Sequence, residues 1–214
     1  MWALKAEGLT FSYPNLQLFD NLDLEISPGE KRAVLGPSGS GKTTLVHLLA
    51  GILPMQNGRL WWGDVEVSGL SEEELARLRR ERIGLIFQHH YLLDELSALE
   101  NVMIPGLISG NPDSQRARQL LERVGLERQS HLLPASLSGG ERQRVAVARA
   151  LYPKPRAVLA DEPTGSLDRA NAERVRDLLA ELAQENGAAV LFATHDEALV
   201  SSWPTWRIKN GRLT

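Results

Sequence analysis

The feature that most constrains this chain of 214 residues is a glycine-rich loop, Gly-Pro-Ser-Gly-Ser-Gly-Lys-Thr, from Gly36 to Thr43. A short apolar segment, 32–35, precedes the loop, and an apolar segment typical of a helix follows it and ends at Gly51. Glycines without a Cβ let backbone N–H groups converge on phosphate oxygens, and a helix N-terminus adds a positive dipole end. The pattern predicts a strand, a phosphate-binding loop and a helix, and a plain glycine turn is the weaker alternative.

Two side chains at the end of this loop carry the chemistry that a nucleoside triphosphate needs. Lys42 supplies a point charge for the β- and γ-phosphates, and the hydroxyl of Thr43 can ligate Mg²⁺. We therefore expect ATP and Mg²⁺ as cofactors. The residues that we assign to nucleotide binding here are Gly36, Pro37, Ser38, Gly39, Ser40, Gly41, Lys42, Thr43 and Thr44.

A second glycine-rich segment, 137–143, lies about a hundred residues later and also opens a helix. Ser138 has the character of a helix N-cap, and Gly139, Gly140 and Glu141 follow it. Exposed amides at such a helix start form a second place for anionic oxygens. Taken alone, the segment is also compatible with an ordinary capped helix.

A third motif is an apolar strand, 157–160, that ends in the acidic pair Asp161 and Glu162. Carboxylates at the carboxyl end of a sheet strand lie where α/β folds bind their ligands. Asp161 can hold Mg²⁺, and Glu162, aimed differently, can polarise an attacking water. Taken alone, a strand that ends in two acids often leads only into a surface turn. The presence of a phosphate-binding loop in the same chain favours the functional interpretation.

The composition is that of an ordinary globular protein, with 43% hydrophobic and 24% charged residues. The net charge of −3 provides no basic field for nucleic acid, so we expect no nucleic-acid partner. The chain has no cysteine, which excludes disulfides and thiolate metal sites. Its best apolar stretch, 45–55, has about half the length of a membrane-spanning helix, so we expect the chain not to cross a membrane by itself.

The pattern along the chain predicts an α/β fold. Short alternating segments at 4–13 and 20–26 predict antiparallel strands, and 60–67 predicts a further strand. Buried strands are expected at 83–87, 157–160 and 189–193, and helices at 71–82, 98–104, 114–124 and 171–184. Alternating strands and helices imply a parallel sheet with right-handed crossovers.

These motifs, in this order, resemble the nucleotide-binding subunits of ABC (ATP-binding cassette) transporters, and the resemblance covers essentially the whole chain. Segment 36–43 is similar to Walker A, 137–143 to the signature motif, Asp161 and Glu162 to Walker B, and 166–168 to the D-loop. Gln88 is similar to the Q-loop glutamine of the family and His195 to its switch histidine. Tyr13 lies where the family has an aromatic residue stacked on adenine.

The resemblance implies a P-loop NTPase core of the ABC type, with a parallel sheet, an antiparallel β subdomain and an inserted helical subdomain. The whole chain, 1–214, then forms one ABC ATPase domain. Segments 1–88 and 156–214 form its sheet core with the antiparallel subdomain, and residues from about 89 to 155 form the helical subdomain that carries the signature.

The resemblance also implies residue roles. ATP hydrolysis is assigned to Glu162, His195, Gln88 and Lys42, and Mg²⁺ binding to Thr43, Gln88 and Asp161. Nucleotide contacts are assigned to Tyr13, to the loop residues above, and to Ser138, Gly139, Gly140, Glu141 and Asp168. His195 taken alone is also compatible with a structural histidine, and Gln88 with a strand-end amide.

In the family, two copies pair head to tail, and each ATP lies between the Walker A loop of one copy and the signature of the other. The resemblance therefore implies a homodimer, or a pair of ABC subunits, in the ATP-bound state. A separate integral membrane subunit would receive the work of closure, docked near 88–105. We expect the chain in the cytoplasm, peripheral on the inner face of the cell membrane.

Within the family the chain looks most like the ATPases of lipoprotein release and macrolide export, on the evidence of segments 87–93, 98–102 and 160–168. Ser166 departs from that subgroup, as do the segment after Gln88 and the segment 203–206. The alternative is a regulatory cell-envelope ATPase that moves no cargo. The motifs decide neither the cargo nor import against export.

Overall fold

The computed structural model describes residues 2–209 and 211–214. The chain forms two sheets and a set of helices packed around them. The strands are β1 (Leu4–Tyr13), β2 (Leu16–Ile26), β3 (Lys31–Leu35), β4 (Asn57–Trp62), β5 (Val65–Glu66), β6 (Ile83–Phe87), β7 (Ala157–Asp161), β8 (Ala189–Thr194), β9 (Thr205–Lys209) and β10 (Arg212–Leu213). The helices are α1 (Lys42–Leu49), α2 (Glu72–Arg82), α3 (Ala98–Ile108), α4 (Ser114–Arg123), α5 (Gly139–Leu151) and α6 (Arg169–Glu185).

The larger sheet has the strand order β10-β9-β3-β8-β7-β6. Strands β3, β6, β7, β8 and β9 pair in parallel, and β10 joins β9 as an antiparallel edge strand. The register places Leu35 opposite Thr194, and Asp161 opposite both Ala193 and Phe87. The carboxyl ends of four strands from distant parts of the sequence therefore meet at one edge of the sheet.

The central strands are apolar throughout because both faces of the parallel sheet are covered. Val158 and Ala160 belong to the core on the side of α3, α5 and α6, whereas the alternate residue Leu159 belongs to the core on the side of α1. Successive side chains of a strand point to opposite faces, so one strand contributes to both cores. This two-sided burial holds the strand ends, and the loops that follow them, in place.

The smaller sheet is antiparallel, with the order β2-β1-β4-β5. Its inner face packs on α1, and the indole N–H of the fully buried Trp62 donates to the carbonyl oxygen of Leu49 at 2.9 Å. This contact ties β4 to the end of the helix that follows the glycine-rich loop. The predicted strand 60–67 is wrong as one unit, because it forms β4 and β5 around a tight turn at Gly63, whose φ is +65°.

The segment between β6 and β7 is helical and consists of α3, α4 and α5. The prediction that the first of these helices ends at residue 104 is wrong, because α3 continues through Pro105 to Ile108. Gly106 lies in contact with Tyr152, where an added Cβ would come within 2.5 Å of the Tyr152 hydroxyl. Gly106, which the sequence pattern predicted to break the helix, instead permits close packing of α3 on the end of α5.

The predicted combination of a parallel core, an antiparallel β subdomain and an inserted helical subdomain is confirmed. Strands β9 and β10 were not predicted, and β2 begins four residues earlier than expected, at Leu16. Among the residues that the structure describes, no helix has both the length and the apolar character needed to cross a bilayer.

Candidate nucleotide-binding and catalytic site

A cleft of about 500 Å³ opens at the edge where the parallel strands end. The glycine-rich loop follows β3, Gln88 follows β6, Glu162 follows β7 and His195 follows β8. The residues that line the cleft are Tyr13, Leu16, Leu18, Ser38, Gly39, Gly41, Lys42, Thr43, Thr44, Gln88, Glu162 and His195. The fold thus brings together ten of the predicted nucleotide-binding and catalytic residues and adds two leucines.

The loop between β3 and α1 has the geometry that its glycines allow. Gly39 and Gly41 have positive φ angles of 80° and 102°. A Cβ on Gly36 would lie 2.4 Å from the Oγ of Ser40, so any other residue there would displace the Ser40 side chain. The Ser40 hydroxyl itself is buried and has no hydrogen-bond partner within the described chain. Loop amides, an unpaired hydroxyl and the start of α1 together form an anion cradle.

Lys42 lies at the base of this cradle and is 6% exposed. Its Nζ donates to the carbonyl oxygens of Gly36 at 2.8 Å and Pro37 at 3.2 Å, and it lies 3.4 Å from the Oε1 of Glu162. A buried ammonium group requires such partners, because an uncompensated charge in the interior is costly. The loop therefore holds a positive charge directly below the space that phosphate groups would occupy.

Glu162 is the most constrained residue of the site. Its backbone φ is +46°, which is uncommon for a residue with a Cβ, and its N–H donates to the carbonyl oxygen of Ala193. The Thr194 hydroxyl donates to Oε2 at 3.2 Å, and Nδ1 of His195 lies 3.0 Å from both carboxylate oxygens. Backbone strain of this kind is often found at functional sites.

Asp161 lies beneath the cleft and is 8% exposed. Burial raises the pKa of its carboxyl group, and the hydroxyl of Thr43, with His47 and Lys42 nearby, opposes that shift. Its Oδ1 has no hydrogen-bond partner among the described residues. An orphaned, buried carboxylate oxygen beside a threonine hydroxyl is a donor set that suits a hard cation such as Mg²⁺.

Tyr13 stands at the outer end of the cleft, 44% exposed, with its ring edge-on to Phe11 at 5.0 Å. Its hydroxyl lies 3.2 Å from the Oγ1 of Thr44. Leu16, 55% exposed, and the buried Leu18 line the same region. We did not predict these leucines, although their spacing of two places them on one face of a strand next to Tyr13.

The second glycine-rich segment does not line this cleft. Ser138 caps α5: its hydroxyl accepts the N–H of Glu141 at 3.3 Å, and its own N–H donates to Oε2 of Glu141 at 2.8 Å. These bonds hold the pKa of the Glu141 carboxyl below its usual value. Gly140 is buried, and an added Cβ there would come within 3.0 Å of the Asn171 side chain. Gly139 is exposed at the start of the helix.

Asp168 also lies outside the cleft. Its carboxylate caps α6, accepting from the backbone N–H of Asn171 at 2.9 Å and from the Nδ2 of Asn171 at 2.6 Å. Since Asn171 also packs on Gly140, the Asp168 cap and the start of α5 form one continuous exposed surface. The structure therefore separates the predicted residues into a cleft and a second surface.

Comparison with known proteins agrees with this architecture. Residues 19–165 match the ABC transporter family. The lipoprotein-releasing system ATP-binding protein LolD of Bacteroides fragilis (strain YCH46) is 45% identical over 196 residues, which cover 90% of this chain and 91% of that protein. The protein of the same name from Hydrogenovibrio crunogenus (strain DSM 25203 / XCL-2) is 50% identical over 205 residues, covering 92% and 89%.

Solved structures give the same result. The ATP-binding cassette MJ0796, solved as a dimer in a post-hydrolysis state with ADP and Pi, is 32% identical and superposes with a TM-score of 0.86, over 98% of this chain and 96% of that one. The transporter component cbiO1 from Clostridium perfringens is 29% identical with a TM-score of 0.87, over 100% and 87%. The chain described here belongs to the ABC transporter family and has the fold of its ATPase subunits.

Proposed function

We propose that this chain is the ATP-hydrolysing subunit of a lipoprotein-releasing ABC transport system. The observation that carries the proposal is the cleft in which Lys42, Glu162 and His195 converge at the ends of parallel strands. The relatives named above supply the type of transport system, because both are lipoprotein-releasing proteins. They do not favour the alternative of a regulatory ATPase without cargo.

We assign the outer end of the cleft to the adenine base and the loop to the phosphates. The ring of Tyr13, beside Leu16 and Leu18, offers an apolar surface for the base. Loop amides and Lys42 neutralise phosphate charge, and this positioning supplies most of the catalysis in phosphoryl transfer.

Mg²⁺ is assigned to the donor set of Asp161, Thr43 and Gln88. The unpartnered Oδ1 of Asp161 beside the Thr43 hydroxyl supports the assignment, and Gln88 lies exposed at the lining of the same cleft. When bound, the ion would neutralise charge on the phosphate oxygens. Burial of Asp161 without a cation is unfavourable, which gives the site a reason to bind one.

Glu162 is assigned as the group that orients and deprotonates the attacking water. Its carboxylate faces the cleft and is held by the Thr194 hydroxyl and by His195. His195 is mostly exposed, with 63% of its side chain accessible, so it can contact both Glu162 and a bound phosphate group. General-base catalysis of this kind contributes about 10²–10⁴-fold to a rate.

The surface formed by Ser138, Gly139, Glu141 and Asp168 is assigned to the ATP of a second copy. None of these residues lines the cleft of its own chain, and the family structure MJ0796 was solved as a dimer. We therefore propose a homodimer, or a pair of ABC subunits, in which two composite sites form across the interface. The exposed start of α5 supports this arrangement, because its helix N-terminus is available to an anion from outside the chain.

A separate integral membrane subunit is part of the proposal, with this chain bound at the inner face of the membrane. The proposed docking region is 88–105, where Tyr91 and Leu93 expose 63% and 50% of their surface. We also propose the predicted division of the chain, with 1–88 and 156–214 as the sheet core and residues from about 89 to 155 as the helical subdomain.

Co-purification with membrane subunits tests the proposal. An affinity-tagged chain is expected to recover integral membrane proteins from detergent extracts of its own organism, and the complex is expected to hydrolyse ATP faster when a purified lipoprotein is added. The Lys42→Ala variant should recover the same proteins without turnover. A complex with ATPase activity that is indifferent to lipoproteins would contradict the cargo, and a chain without ATPase activity would contradict the enzymatic role.

A further inference from the structure

We infer that Arg149 is a positioning residue for Gln88, acting from α5 on the backbone that follows β6. The inference rests on the proposed role of Gln88 in binding Mg²⁺. Gln88 lies at the cleft, whereas Arg149 lies on the helix whose start is assigned to the ATP of the second copy. Arg149 would then connect one nucleotide site to the other.

The hydrogen bonds that the described structure gives the Arg149 side chain are both with the segment after Gln88. Its guanidinium donates to the carbonyl oxygen of His90 at 2.6 Å and to that of Tyr91 at 2.6 Å. Burial lowers the pKa of this guanidinium, and no acidic side chain is among the causes of the shift. Arg149 is half-buried, and a cation in that position held by carbonyl oxygens without an acidic partner is an unusual arrangement, because such groups are ordinarily paired with an acid.

The segment that Arg149 holds has a strained conformation. Tyr91 has a φ of +45°, in the left-handed region, and its ring packs edge-on against Phe87 at 5.5 Å. A non-glycine residue in this conformation persists only when its surroundings impose it. The two bonds from Arg149, on consecutive carbonyls, are the side-chain hydrogen bonds to His90 and Tyr91 that help to impose it.

A second side chain of the same helix holds the residue before Gln88. Gln143 is 2% exposed, and its Nε2 donates to the carbonyl oxygen of Phe87 at 3.0 Å. Gln143 and Arg149 therefore bracket Gln88 on both sides from one helix. Gln88 itself packs against Gly165, in the loop after Glu162, where an added Cβ would lie 3.2 Å from its Nε2.

A displacement of α5 relative to the sheet must therefore move the backbone of Gln88 relative to Asp161. The helix begins at Gly139, capped by Ser138, so closure on the nucleotide of a second copy acts on the same rigid element. Loss of Arg149 would leave the Gln143 contact but release the carbonyls of His90 and Tyr91. We expect the segment then to relax, and Gln88 to lose its alignment with the proposed cation site.

The test compares Arg149→Ala with Arg116→Ala, a matched control. Arg116 also donates to two consecutive carbonyl oxygens, those of Leu151 and Tyr152, at 2.9 and 2.6 Å, but these belong to the end of α5 and not to the segment after Gln88. Amide hydrogen exchange without nucleotide should accelerate by at least about tenfold over residues 88–93 in Arg149→Ala only, since the loss of one charge-assisted bond already corresponds to roughly that factor. Arg149→Lys, which keeps the charge, should fall between the parent and Arg149→Ala.

The second readout is the Mg²⁺ concentration that gives half-maximal ATP turnover. It should rise several-fold in Arg149→Ala, while the affinity for ATP measured without Mg²⁺ stays that of the parent. Equal effects in Arg116→Ala, or unchanged exchange over 88–93, would overturn the inference. If Arg149→Ala does not fold, a Lys variant with the exchange and Mg²⁺ dependence of the parent would overturn it equally. A parent chain without ATP turnover would contradict the proposed function, and the exchange measurement would still test whether Arg149 holds the segment after Gln88.

Discussion

Glu162 combines a strained backbone with a side chain held on three sides. Lys42, Thr194 and His195 contact its carboxylate, the residue lines the cleft, and its backbone φ is +46°. Strained residues of this kind cluster at functional sites, where the position of the side chain is part of the function. The adjacent Asp161 is buried beside Thr43, so two neighbouring acids have different environments and different proposed roles.

The Glu162→Gln substitution tests the role of the carboxylate. The amide keeps the size of the side chain but cannot accept a proton, so turnover should fall about 10²–10⁴-fold while ATP binding remains. A dimer that requires ATP should accumulate and be visible by size-exclusion chromatography. Glu66→Gln, on the exposed short strand β5, is the control and should behave as the parent. Near-normal hydrolysis by Glu162→Gln would contradict the assignment of Glu162 as the general base.

Asp161→Asn tests whether the buried carboxylate is a cation site whose negative charge destabilises the fold when no cation is bound. Burial raises its pKa above the ordinary value of 3.8, so the folded state disfavours the ionised form. The destabilisation is absent below the pKa of the unfolded chain and grows as the pH rises through the raised pKa of the folded state. Without Mg²⁺ at pH 7, the Asn variant should melt about 2–4 °C higher for each kcal/mol recovered.

The pH dependence provides the control for that measurement. At acidic pH, where the parent is also protonated, the melting temperatures of the parent and of Asp161→Asn should converge. Turnover should be lost in the variant at every pH. A variant that is less stable than the parent at pH 7 would show that the carboxylate stabilises the empty fold, and the cation assignment would lose its physical basis.

At the scale of elements, the strands and helices with strong patterns were predicted and those shaped by tertiary contacts were not. Strand β7 is apolar and then acidic, and this is sufficient to place Asp161 and Glu162 at a sheet edge. Strand β9 alternates polar and apolar residues over only five positions after Trp203 and Pro204, and β10 has two residues, so we predicted neither. Helix α3 passes through Pro105 because its packing against α5 outweighs the local preference to end.

Polar residues inside the helical segment were the other feature that the pattern did not reveal. Asn101 is fully buried on α3, and its side chain makes four hydrogen bonds with the preceding loop. Its amide donates to the carbonyl oxygens of Leu93, Leu96 and Ser97, and its Oδ1 accepts the N–H of Leu93. Periodicity marks apolar faces, so a polar residue within such a face is recognised only when its partners are known.

Asn101→Ala should destabilise the chain by about 2–4 kcal/mol, because it leaves several buried backbone groups without partners. Urea denaturation measures this as a lower midpoint with an unchanged slope. Asn111→Ala is the control, since Asn111 is exposed in the loop after α3 and should change stability little. A loss for Asn101→Ala no larger than that of the control would show that the loop is held by other contacts.

At the scale of the whole molecule, the sheet register brings together residues that lie far apart in the sequence. His195 follows Glu162 by 33 positions, yet their side chains lie 3.0 Å apart. The sequence pattern predicted the cap formed by Ser138, but neither this contact nor the cap formed by Asp168. A single chain also leaves Ser138 and Asp168 outside its own cleft, and this separation is what a composite site between two copies requires.

A mixing experiment tests that composite site. Lys42→Ala disables the cleft and leaves the Ser138 surface intact, whereas Ser138→Arg should leave ATP binding to the monomer intact and block closure. Each variant alone should be inactive, because every composite site of its homodimer carries one defect. In an equal mixture, about half of the randomly formed dimers contain one of each, and each of these has one intact site. Turnover should therefore recover to about a quarter of the parent rate if the sites act independently.

The control for this mixture pairs Lys42→Ala with Glu162→Gln. Both substitutions lie in the cleft, so no pairing of these two chains produces an intact site, and the mixture should stay inactive. Recovery in the first mixture and not in the second would place Ser138 in the site of the neighbouring copy. If instead the first mixture is as inactive as its components and forms no ATP-dependent dimer, Ser138 has only its role as the cap of α5, and each chain hydrolyses ATP with its own residues.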